Sequence, residues 1–144
     1  MSLITALSDP TRRSIVIADA IKELEAELDE RSGLTNVAVK TGYKAVQKAK
    51  PGIIAHALED LITKFAPILD SHHDVARVGG GEVEKHFVDN GKVIAHDLLG
   101  VTDARMSQSS NKVAKTFYEK LRPRATDQVV DGMPRLARLV AKHS

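Results

Sequence analysis

An all-α fold, packed as one compact single-domain bundle of about six or seven helices with no sheet, follows from three features of the sequence. Apolar residues recur at spacings of three and four through most of the chain. No stretch shows the period-two alternation of a half-buried strand. Glycines, prolines and short polar runs fall mainly between the periodic stretches. The chain has 144 residues, 42% apolar and 28% charged, enough to bury a core of its own, so residues 1–144 read as one helical domain.

Asp9 followed by Pro10 reads as an N-cap with proline at the first helical position, opening a helix to about Arg31. Ile17, Ile21, Leu24 and Leu28 form its stripe, Asp19, Glu23, Glu27 and Glu30 lie outside it, and Ser32 and Gly33 end it. Leu34 to Ala49 reads as a second helix, with the small residues Ala38, Gly42, Ala45 and Ala49 on one side, where another helix can approach closely. Lys40, Lys44 and Lys48 fall on the opposite side, and Lys50, Pro51 and Gly52 mark the turn. The central core helix is expected over Pro51 to Leu69, with Ile54, Leu58, Leu61, Phe65 and Ile68 on its stripe and Pro67 kinking or ending it.

Asp70 to Gly81, with its histidines and triple glycine, reads as the longest loop. A short helix from Glu82 to Val88 follows, ended by Asn90 and Gly91 in a left-handed turn. Ile94, Leu98 and Val101 carry the next helix to about Met106, and Val113, Phe117 and Leu121 mark another before Pro123. The tail from Thr126 to His143 is broken in two by Gly132 and Pro134.

The absence of cysteine removes disulfides, thiolate chemistry and cysteine-ligated metal centres, which fits a reducing cytoplasm. The amino terminus lacks the basic start and apolar run of a signal peptide, and no window is apolar enough for a membrane span. A cytoplasmic location is expected.

Net charge is only +2, but it is unevenly spread. Asp19 to Glu30 holds six acids against one lysine, and Lys112 to Ser144 holds eight Lys/Arg against three acids. Either a basic binding face or an attraction between the two ends accounts for this asymmetry.

No catalytic, cofactor or metal motif is present. His56 and Asp60 share a helical face, but two ligands make no metal site, and a solvated histidine near a carboxylate accounts for them. Asp70, His72, His73 and Asp74 form the densest group of metal-ligand types, with no second group to complete a shell. Gly79 to Gly81 lacks the lysine and hydroxyl of a phosphate loop, and Glu82 and Glu84 would repel a phosphate there. Ser107 to Ser110 matches no serine-nucleophile pattern.

The surface set best suited to a polyanion is Lys40, Lys44, Lys48 and Lys50 with Arg122, Arg124, Arg135 and Arg138, although aromatics make up only 3% of the chain. The segments SGLTNVAVKTGYKAVQKAKPG (Ser32 to Gly52), LLGVTDARMSQSSNKV (Leu98 to Val113) and FYEKLRP (Phe117 to Pro123) resemble an uncharacterised actinobacterial family of small helical proteins, a domain of unknown function. The resemblance implies a single domain in a bacterial cytoplasm, and it transfers no activity and no site residue. The expectation is a non-enzymatic protein-interaction module, with self-association among its options. Electrostatic binding of nucleic acid or another polyanion is the alternative.

Overall fold

The computed structural model describes residues 2–30 and 34–144. Among them the fold is all-helical: α1 (Leu3–Ser8), α2 (Pro10–Glu30), α3 (Leu34–Ala49), α4 (Ile53–Val78), α5 (Val83–Asp89), α6 (Gly91–Ser107), α7 (Lys112–Asp131) and α8 (Met133–His143). These eight exceed the six or seven expected, because α1 is too short to show a period. Its start is held from outside: Ser2 Oγ accepts the Thr5 N–H at 3.1 Å, and the buried Asp70 carboxylate of α4 accepts from the Leu3 and Ile4 N–H groups at 2.8 and 2.9 Å. Asp9 does cap α2, accepting the Thr11 N–H at 3.0 Å ahead of the Pro10 start. Ser32 and Gly33, expected to end α2, lie outside the described residues, as do the side chains of Leu34 and Ala38.

The largest departure from the sequence reading is α4. The segment Asp70 to Val78 is helix, not loop, and Pro67 sits exposed inside the element. Proline there removes one backbone bond, but Ala66, Leu69, Asp70, His73 and Ala76 are all buried, so packing on both sides of Pro67 holds the helix through it. Two buried polar residues interrupt the apolar pattern and conceal the stripe in the sequence. Pro123 repeats the lesson: α7 does not stop before it but runs on to Asp131, where Val129 and Val130 pack on the core. Gly132 alone separates α7 from α8, and Pro134 sits in the first turn of α8 rather than breaking it.

Asn90 and Gly91 form no left-handed turn, since the positive-φ residues described are Gly52 and Gly80. Gly91 instead opens α6 beneath the α7–α8 corner, where an added Cβ would lie 3.4 Å from Met133 Cγ and 3.5 Å from Val130 Cγ1.

One core joins these elements. Leu3, Val16, Leu69, Phe87, Ile94, Met133 and Val140, contributed by α1, α2, α4, α5, α6 and α8, are all fully buried. Helices α3 and α7 contribute less: among the described residues, Val46 and Ala114 are the buried apolar residues of α3 and of the Lys112 half of α7, and neither belongs to this cluster. The pair therefore flanks the main core with a groove of its own.

Candidate interaction groove

The expected basic residues divide sharply. Arg135 is absorbed by the acidic helix: its Nη1 donates to Glu23 at 2.6 Å, its Nε to Glu27 at 2.9 Å, and its Nη2 to Glu30. The carboxylates of Glu23, Glu30 and Glu27 hold this guanidinium protonated well above its ordinary range. Arg138 pairs with Glu84 at 2.8 Å, and Lys142 and His143 both reach Asp19, at 2.7 and 2.8 Å. The oppositely charged ends of the chain thus meet inside one fold. Arg122 binds both oxygens of Asp103, at 2.8 and 3.0 Å, and Tyr118 donates to the same carboxylate. Lys40 pairs with Asp29 at 3.0 Å, and Arg124 is exposed on α7.

Lys44, Lys48 and Lys50 remain, exposed and with no carboxylate partner among the described residues. Lys44 and Lys48 follow Thr41 by three and seven residues, which places all three on one flank of α3. Thr41 is the lip of a groove of about 630 Å³ between α3 and α7. Its floor is apolar, made by Gly42 and Ala45 of α3 with Val113, Phe117 and Leu121 of α7. The facing lip carries Lys112, Thr116 and Lys120. Both of these lysines are exposed and also lack a carboxylate partner among the described residues, and Glu119 is not part of the lining. Val37, one turn before Thr41, is 58% exposed and Val113 is 45% exposed, so the apolar strip reaches solvent along both walls.

The sequence explains this shape. Gly42 leaves no side chain where α3 crosses α7, and the Phe117 ring fills the vacated space. Segment Leu34–Ala49 contains no acid, so nothing on α3 neutralises its lysines. Sequence reasoning found the α3 lysines and the small-residue side but missed Lys112 and Lys120. Their spacing of eight, two helical turns around Thr116, was the available signal.

The histidine and acid clusters do not gather. Asp70 is taken up capping α1, His73 is buried in α4, and Asp74 is exposed. His72 instead meets His86 of α5, Nδ1 to Nε2, at 3.2 Å. His56 is exposed, while Asp60 binds Lys64 at 3.1 Å and Arg105 at 2.5 Å. Lys64 first, with Arg105, keeps the Asp60 carboxyl below its usual range. Among the described residues no three His, Asp or Glu side chains are placed to hold a metal ion. Nor is any helix long and apolar enough to cross a membrane.

Residues 3–144 match a family of unknown function (DUF6918), and the chain belongs to that family. No curated protein and no solved structure matches it.

Proposed function

We propose that this protein is a non-enzymatic interaction module whose α3–α7 groove receives an acidic amphipathic helix of a partner protein. One observation carries the reading: an apolar floor with Lys112 and Lys120 along one lip and, beyond Thr41 on the other, Lys44 and Lys48 on the same flank of α3, all four exposed and without carboxylate partners among the described residues. A helix presenting apolar residues at i, i+3, i+4 and i+7 would bury them on Ala45, Val113 and Phe117, and glutamates on its flanks would meet the lysines. A polyanion such as nucleic acid would use the same lysines but gain nothing from the apolar floor, which offers Phe117 as its one aromatic ring. A second copy of this chain fits less well, because the acidic face of α2 is already engaged by Arg135 and Lys40. The setting we propose is the cytoplasm of a bacterium, in keeping with the cysteine-free composition and with the actinobacterial resemblance.

The test is fluorescence anisotropy with three labelled probes: a leucine-rich helical peptide with glutamate flanks, the same peptide with lysine flanks, and duplex DNA. The acidic peptide is expected to bind, and Lys112→Glu with Lys120→Glu is expected to weaken it about tenfold or more. DNA binding without peptide binding would transfer the site to polyanions. Equal binding of both peptides, or of none of the probes, would overturn the reading.

A further inference from the structure

We infer a second, independent site: an apolar cavity between α2, α4 and α8 that takes a small hydrophobic amine. The cavity holds about 200 Å³, and Leu24, Leu58, Ile62, Phe65, Leu136 and Leu139 make most of its wall apolar. A cavity of about 150 Å³ lined by such residues stays dry and accepts a benzene-sized guest, so this one has room for a single ring or a short alkyl chain.

The charged groups at its rim decide what else the guest carries. Glu23, Glu27 and Arg135 border the opening, and Glu30 completes the set around Arg135. Glu23 shares the Arg135 guanidinium with Glu27 and Glu30, so its carboxylate keeps acceptor capacity toward the opening. Arg135 is 17% exposed, and its Nε, Nη1 and Nη2 all donate to those carboxylates, so an anionic guest would have to displace a glutamate to reach it. An ammonium group needs no displacement, because Glu23 is 37% exposed and can accept from a guest while holding Arg135. Leu24 is itself 37% exposed beside the opening, which gives the apolar body of a guest a way in. The same charges disfavour a carboxylic acid of equal size. None of these residues lines the α3–α7 groove, so the two sites stand or fall separately.

The experiment is calorimetric and NMR titration of the full chain with hexylamine, hexanol and hexanoate, observing the Leu136 and Leu139 methyl groups. Hexylamine is expected to bind about two- to fivefold more tightly than hexanol, the range that an exposed ion pair contributes, with hexanoate weakest. Glu23→Gln should narrow the preference for the amine. Leu24→Trp, at a position already part-open to solvent, should block all three while circular dichroism shows the helices retained. Lys120→Glu in the groove should change nothing. Identical affinities for the three probes, no methyl shifts, or amine binding that survives Leu24→Trp would overturn the proposal.

Discussion

The Phe117 ring of α7 occupies the space into which any side chain on Gly42 of α3 would project. The contact sets how closely the two helices cross and makes the floor of the groove between them. Gly42→Ala adds a methyl group into that ring. Overpacking costs about 1–3 kcal/mol, against a helix-propensity gain of about 1 kcal/mol. A net loss of stability is expected in urea denaturation, together with weaker binding of the acidic peptide. A variant more stable than the parent would mean that Phe117 is free to swing away.

Arg135 holds three glutamates of α2 against α8, and its removal leaves their charges facing one another. Arg135→Gln is expected to destabilise the fold by about 1–3 kcal/mol, less than a fully buried pair would lose because Glu30 and Glu23 are part-exposed. The diagnostic is salt. Raising ionic strength should recover stability in the variant, where it screens repulsion, but not in the parent, where it screens attraction. The same salt response in both proteins would remove the ion cluster from the account.

His72 lies part-buried against His86 and Phe87 of α5, with Asp97 of α6 the acid acting on it. Burial first, and then the neighbouring His86, holds its pKa below the ordinary 6.5, against a smaller upward pull from Asp97. The folded state therefore binds fewer protons than the unfolded chain. Stability is fully present above pH 6.5 and falls as the pH drops below it. Thermal unfolding between pH 7.5 and 5.5 should show this loss, and His72→Gln should reduce it. A pH response identical in the two proteins would assign it elsewhere.

Tyr43 on α3 has a buried hydroxyl with no hydrogen-bond partner among the described residues. Burial, and then the charge of Glu25, pushes its pKa upward, although the Glu25 carboxylate does not reach hydrogen-bonding geometry. Removing an unsatisfied buried hydroxyl while keeping the ring costs nothing in packing. Tyr43→Phe is expected to leave stability unchanged or to raise it by about 1 kcal/mol. A clear loss in urea denaturation would show that the hydroxyl is paired.

Helix class, the α2 and α3 bounds and the Gly132 break were legible because each rests on local signals: an N-cap before proline, a repeated stripe, a glycine between periodic segments. The second half of α4 was not, because Asp70 and His73 occupy buried positions of its stripe, and a polar residue reads as surface until its partner is known. For Asp70 that partner is the start of α1, 67 residues away in sequence. Pro67 and Pro123 misled for a related reason, since tertiary packing outweighs one lost backbone bond. In the groove, the α3 lysines stood out because no acid shares their helix. Arg135 and Arg138 looked equivalent to them in the sequence, and only the folding of α8 against α2 and α5 separates neutralised cations from available ones. Lys112 and Lys120 went unnoticed because a groove lip is formed by two helices and appears in neither alone.

The most direct measurement of the central claim is a ¹⁵N-¹H NMR titration of the full chain with the acidic amphipathic peptide. The account predicts shifts concentrated at Thr41, Ala45, Val113, Thr116 and Lys120, saturating with peptide and absent with the lysine-flanked version. Shifts centred on other helices, or the same shifts from both peptides, would contradict it.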